Sequence, residues 1–184
     1  MQTNLYFVRH AHSKYTPDEL QRPLSDKGIQ DAQKVTDIFQ NKPIDTILSS
    51  PYKRAVETVS GIASHIQKEI KIVNGFRERT LSERPVEDFS KAITYVWSNP
   101  HFSLEGGESN FTAQQRGVNA TIEVLQTYKG KNIVVGTHGN IMVLIMNHFD
   151  NRYDFEFWKR LKMPDIYRLT FEGTTFIEAV HVPH

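Results

Sequence analysis

Thr3-Asn4-Leu5-Tyr6-Phe7-Val8-Arg9-His10-Ala11-His12-Ser13, together with Asn132-Ile133-Val134-Val135-Gly136-Thr137-His138-Gly139-Asn140 far along the chain, decides how the sequence reads. Each begins as a short aliphatic, aromatic or β-branched run, the mark of a buried strand, and each passes directly into a histidine-bearing turn. Open α/β sheets bind ligands beyond the carboxyl ends of their strands. If Thr3–Val8 and Asn132–Gly136 are neighbours, Arg9, His10 and His138 meet in one pocket.

Working outward, a helical period starts at Ser25, a suitable N-cap with Asp26 at the positive end of the helix dipole. It places Ile29, Ala32, Val35, Ile38 and Phe39 on one face. Thr46–Ser49 reads as a second strand, and Ser50-Pro51 as an N-cap followed by proline at the first helical position. Ala55, Val59, Ile62 and Ile66 form the stripe of that helix, and Lys71–Val73 a third short strand. Phe76 to Gly107 is polar and irregular, with a helix expected near Glu87–Trp97. A further helix from Ser109 is expected to bury Phe111, Val118, Ile122 and Leu125, and Ile141–Met146 is apolar on every side, as in a fully buried helix. Tyr153, Phe155, Phe157 and Trp158 read as core, subunit interface or pocket wall, of which core is the commonest place for such residues, and the oligomeric state stays open. Ile166–Phe171 and Thr175–Val180, joined at Glu172-Gly173, predict a hairpin. Strands alternating with helices predict an α/β fold: a three-layer α/β/α sandwich with a mostly parallel central sheet.

The 184 residues suit one domain spanning 1–184. With 22 basic and 21 acidic residues the formal charge is +1, so no global field draws the chain to nucleic acid or to an acidic membrane. The absence of cysteine excludes a disulfide scaffold, a cysteine nucleophile and cysteine-held zinc or iron–sulfur centres. No apolar run approaches the ~20 residues of a membrane span. Met1-Gln2-Thr3-Asn4 lacks the basic stretch of a signal peptide, so a cytoplasmic protein is expected.

Arg9-His10 alone allows three readings: a satisfied polar strand end, a His10/His12 metal pair, or a neutral imidazole beside an oxyanion-binding guanidinium. The metal pair lacks a third ligand in the local spacing, so no metal is expected there. Imidazole is nucleophilic near neutral pH, and arginine offers bidentate donors suited to phosphate. Arg54, in Ser49-Ser50-Pro51-Tyr52-Lys53-Arg54-Ala55-Val56-Glu57-Thr58, falls on a helix's first turn after a strand. By itself it reads as a surface arginine; at the carboxyl edge of the sheet it joins a helix N-terminus that favours anions. Gly136 and Gly139 on either side of His138 permit close backbone approach to a ligand.

In chain order these segments resemble the histidine phosphatase superfamily, the phosphoglycerate mutase-like fold. Arg9-His10-Ala11 is similar to its Arg-His-Gly signature, and Leu24 to Ala32 to its first-helix segment. Ser49 to Thr58 resembles its second signature, Arg77-Glu78-Arg79 the segment bearing the acid/base glutamate, Gly106-Gly107-Glu108-Ser109 with Arg116 a further element, and Thr137-His138-Gly139 the second histidine. The resemblance implies that His10 attacks phosphorus and becomes a phosphohistidine, while Arg9, Arg54 and His138 cradle the phosphoryl oxygens. It implies that Glu78 protonates the leaving alkoxide and then activates water, and that Ser13, Gly139 and Asn140 join the phosphate- and substrate-binding set. No metal or cofactor is implied. Glu78 between two arginines also reads as a plain surface glutamate.

Three departures stand out. Ala11 replaces the usual glycine, and His12 the commoner acidic or polar residue; His12 reads equally as lining the pocket mouth or as a solvent-facing loop residue. After Glu78 the family's glycine and Trp-Glu-Gly elements give way to Thr80-Leu81-Ser82-Glu83-Arg84-Pro85. Arg77, Arg79, Arg84 and Lys91 read first as solvated charges and second as attractors of another negative group on a substrate.

The expected activity is metal-independent hydrolysis of a small phosphorylated metabolite through phosphohistidine. The first alternative is a phosphoglycerate mutase, favoured by His138-Gly139-Asn140 and disfavoured by a length that leaves little chain for a lid. The second is a phospho-ligand binding module without turnover.

Overall fold

Leu5 and Phe7 point to one face of strand β1 (Gln2–Arg9) and Tyr6 and Val8 to the other, and all four are buried. That pattern belongs to a strand covered on both sides. The computed structural model, which describes residues 1–184, places β1 inside a six-stranded sheet with β2 (Thr46–Ser49), β3 (Ile70–Ile72), β4 (Asn132–Thr137), β5 (Asp165–Glu172) and β6 (Thr175–His181). The order is β3-β2-β4-β1-β5-β6. The first four are mutually parallel, and the β5–β6 hairpin adds two antiparallel strands beside β1. The sheet is therefore mixed, with its parallel part carrying the histidine turns.

Helices α1 (Asp26–Phe39) and α2 (Lys53–His65) cover one face over Tyr6, Val8, Ile47 and Val134. Helices α4 (Asn110–Thr127) and α5 (Gly139–Phe149) cover the other over Leu5, Phe7, Leu48 and Val135. Burial runs from Gly139 to Met146 on α5, as its all-apolar sequence predicts. Helix α3 (Phe89–Ser98) begins two residues later than expected. A short α6 (Phe155–Arg160), capped by the Asp154 side chain, occupies an aromatic stretch that sequence periodicity left unassigned. Tyr153, Phe157 and Trp158 are half-buried against the core and do not lie within it. No helix is long and apolar enough to cross a membrane.

Three local expectations are corrected. Ile29 is exposed, because Gly28 takes the inward position on the first turn of α1. The His12 carbonyl packs so closely there that a Cβ on Gly28 would lie 2.0 Å from its oxygen. Phe111 is exposed against His101, since the buried stripe of α4 passes through Asn110, Ala113 and Gly117. The N-cap position of α2 falls on Tyr52, whose side chain makes no capping bond, and not on Ser50, whose hydroxyl accepts from the Tyr52 N–H and turns toward His138.

Gly28→Ala forces the His12 loop off α1. We expect a loss of roughly 1–3 kcal/mol in urea-unfolding stability, the usual range for overpacking. An unchanged midpoint would remove Gly28 as the seat of the loop.

Candidate active site

The ladder that joins β1 to β4 continues one residue past β1: the His10 N–H donates to the Thr137 carbonyl at the end of β4, at 2.9 Å. This brings the His10 and His138 rings to a centroid separation of 5.2 Å at the carboxyl edge of the sheet. His10 Nδ1 lies 2.7 Å from the Ala11 carbonyl, which can only accept, so Nδ1 carries the hydrogen and Nε2 keeps its lone pair. Arg54 Nε makes a long 3.3 Å contact to that Nε2. Burial, with the nearby Arg54 and Arg9 charges, lowers the His10 pKa from 6.5 to about 3 against the opposing Ala11 hydrogen bond. The imidazole is therefore neutral across the physiological range.

His138 is fully buried at the N-cap of α5, and burial followed by its cationic neighbours holds its pKa well below the ordinary value. Its Nε2 pairs with Ser50 Oγ at 2.6 Å, while Nδ1 has no partner. Arg9 reaches across the α5 N-terminus. Its Nη1 donates to the Leu161 and Lys162 carbonyls, both at 2.9 Å, and Nε is unsatisfied. A Cβ on Gly139 would sit 3.0 Å from Arg9 Nε, so only glycine leaves the guanidinium ample room. Arg54 is buried over the Tyr52 ring and is held by the carbonyl and carboxylate of Glu19, at 2.8 and 3.1 Å.

Glu78 arrives from the opposite side on a braced segment. Thr137 Oγ1 donates to the Phe76 carbonyl, and Arg116 Nη1 donates to the carbonyls of Gly75 and Arg77. Glu108 holds the Arg116 guanidinium through two hydrogen bonds of 2.9 and 2.7 Å, which explains the pairing of Gly106-Gly107-Glu108-Ser109 with Arg116. The Glu78 carboxylate then accepts from the Asn140 and Ile141 N–H groups at 3.1 and 3.0 Å, at the positive end of α5. Asn140 is fixed in turn by Trp97 Nε1, which donates to its Oδ1.

The structure thus brings together Arg9, His10, Arg54, Glu78, His138, Gly139 and Asn140. Ser13 is half-buried and pairs with Leu24 in an isolated antiparallel bridge on the loop that follows His10. His12 is exposed and bonds Ser25 Oγ at 2.7 Å, the solvent-facing reading of the two. Sequence reasoning missed Ser50, Tyr52 and Glu19, and ranked Arg79 as a solvated charge. Arg79 is only 4% exposed, with Nε and Nη1 lacking any acceptor. It lines a cavity of about 690 Å³ that also touches Arg54, Glu78 and Asn140. Nothing in the local pattern separates Arg79 from Arg77 and Arg84.

The sequence model of the histidine phosphatase superfamily (branch 1) matches residues 5–179. The chain belongs to this superfamily. Within it, the chain is 28% identical over 147 residues to a protein named phosphoserine phosphatase 1 from Hydrogenobacter thermophilus, covering 73% of this chain and 70% of the relative. It is also 28% identical over 151 residues to phosphoglycerate mutase-like protein 4 of Arabidopsis thaliana, covering 73% and 66% respectively. The fold matches a mycobacterial glucosyl-3-phosphoglycerate phosphatase with a TM-score of 0.78 at 16% identity, over 98% of this chain and 97% of that one. The expected α/β architecture and the phosphatase class of this histidine phosphatase both stand.

Two buried neutral histidines make the stability of this histidine phosphatase depend on pH. Below about 6.5 the unfolded chain takes up protons that the folded state refuses, so stability is full above that pH and falls below it. The slope is at most about 1.4 kcal/mol per pH unit for each such histidine. Urea unfolding at pH 7.5 and 5.5 is expected to differ by about 1–3 kcal/mol, with a shallower dependence in His138→Gln. An unaltered slope in that variant would contradict the buried neutral pair.

Proposed function

We propose that the protein hydrolyses phosphomonoesters of small metabolites that carry a second anionic group, by way of a phosphohistidine on Nε2 of His10. The observation that carries the reading is the His10 ring itself: neutral, fixed through Nδ1 on the Ala11 carbonyl, and presenting Nε2 beside the Arg54 guanidinium. Nε2 attacks phosphorus and the ester oxygen leaves with the bonding pair. Arg9 and Arg54 neutralise the equatorial oxygens, and His138 Nδ1 is the second ring's remaining donor while Ser50 holds Nε2. Glu78, protonated when the ester binds, delivers that proton to the departing oxygen, and the carboxylate so formed takes one back from the water that cleaves the phosphohistidine.

The second anion follows from Arg79. Its two nearest acids are already committed, Glu78 to the α5 N-terminus and Glu108 to Arg116. A buried guanidinium without an acceptor is costly, and a carboxylate or second phosphate on the substrate would relieve it. Phosphoserine and glucosyl-3-phosphoglycerate phosphatases among the similar proteins act on substrates of that description.

Phosphate release from p-nitrophenyl phosphate in the presence of a chelator is expected in the wild type and absent in His10→Ala. Survival of turnover in that variant would overturn His10 as nucleophile. Glu78→Gln is expected to lower kcat by roughly 10²–10⁴-fold. Interconversion of 2- and 3-phosphoglycerate faster than phosphate release would establish a mutase instead. Arg79→Gln is expected to raise KM for O-phosphoserine by roughly 10–100-fold, the worth of a hydrogen bond to a charged group, while sparing p-nitrophenyl phosphate. Equal losses on both esters would sink the second-anion reading.

A further inference from the structure

Asp165 and His181 meet across the β5–β6 hairpin, where Tyr167 pairs with His181. The Asp165 carboxylate is buried, and His181 Nε2 lies 2.8 Å from its Oδ1. Asp165 is also fixed by two backbone donors, Lys162 N to Oδ2 at 2.9 Å and Ile166 N to Oδ1 at 3.1 Å. The His184 ring stands 6.2 Å from that of His181, centroid to centroid, on the solvent side. The donor atoms of Asp165, His181 and His184 all lie within 4.8 Å of one another.

We propose that Asp165, His181 and His184 bind a divalent transition metal ion of the zinc class, outside the phosphate pocket. Two imidazole nitrogens and one carboxylate oxygen, completed by water, form a tetrahedral set suited to zinc, and imidazole donors disfavour magnesium and calcium. The backbone donors on Asp165 do what outer partners do for a ligating carboxylate: they hold its orientation before an ion arrives. On binding, the ion replaces the hydrogen shared between His181 Nε2 and Asp165 Oδ1, and the ring carries its hydrogen on Nδ1. Exposed His184 closes the open side, which gives the ion an entry path. The sequence hides this site, because His181 and His184 are a lone pair until the hairpin supplies a buried third ligand.

The site has a structural task. Asp165 anchors Lys162, whose carbonyl, with that of Leu161, receives Arg9 Nη1. An ion here therefore stiffens the support behind Arg9 and takes no part in phosphoryl transfer, so turnover persists in chelator.

The test uses the full chain, stripped with chelator and dialysed. Titration calorimetry with Zn²⁺ is expected to show one equivalent bound, lost in both His184→Ala and His181→Ala. His184 contacts neither the core nor the phosphate pocket, so its variant retains the fold and basal phosphate release. Zn²⁺ at about 100 times Kd is expected to raise Tm by roughly 5–10 °C in the wild type and not in His184→Ala, with Mg²⁺ giving no shift. Co²⁺ in place of Zn²⁺ is expected to show tetrahedral visible absorption. Absence of stoichiometric binding, or binding that survives His184→Ala, would overturn the site whatever the phosphatase assays show.

Discussion

Parallel pairing of β1 with β4 sets Val8 opposite Gly136 and Arg9 opposite Thr137, and the His10 N–H closes the ladder on the Thr137 carbonyl. Because side chains alternate along a strand, a slip of one residue would carry Phe7 and Val8 to the wrong faces and part the two histidines. The hydrophobic alternation that buries Leu5 and Phe7 on one side, Tyr6 and Val8 on the other, therefore does more than fill the core. It fixes the separation of two catalytic candidates that no side-chain bond joins. Thr137 extends the same constraint by holding the Phe76 carbonyl, and with it the approach of Glu78.

Around that ladder the pocket collects groups that want an anion. Arg9 Nε, Arg79 Nε and Nη1 and His138 Nδ1 are all enclosed without an acceptor. Each unsatisfied buried donor costs about 1–3 kcal/mol, more when charged. The fold tolerates this because α5, buried from Gly139 to Met146, packs between the sheet and α4 immediately behind the site. Helix α5 serves both ends of the balance: its apolar body anchors the core, and its first N–H groups hold the Glu78 carboxylate.

Much of this was legible in the residues. Strand ends with Arg9-His10 and Thr137-His138 place the site on the carboxyl edge, and the Ser25 cap and the helix start at Ser109 are both met, with hydrogen bonds from Gly28 N and Thr112 N to those hydroxyls. What escaped was decided by neighbours distant in sequence. Ile29 loses the inward position to Gly28 because the His12 carbonyl, from another loop, occupies the space. Ser50 reads as a helix cap until His138 appears beside it. Arg79 lies in a charge-rich irregular segment, where burial follows from how the chain folds over the cavity and leaves no periodic trace. The pairing of Ser13 with Leu24 likewise joins segments that no local pattern links.

The central position of β1 also has a temporal consequence. Its partners are β4 and β5, so Asn4 waits for Asn132, 128 residues later, and for Thr170 beyond that. Contacts so distant along the chain are slow to form, since loop-closure entropy precedes their reward. During synthesis β1 therefore precedes both of its neighbours, with Leu5, Tyr6, Phe7 and Val8 unsheltered until β4 and β5 follow. Helices α1 to α4 and the β2–β3 pair can assemble earlier, but neither the sheet nor the pocket closes before β4 emerges. A strand whose partners are all distant in sequence stays unpaired longer during folding than one that forms a local hairpin.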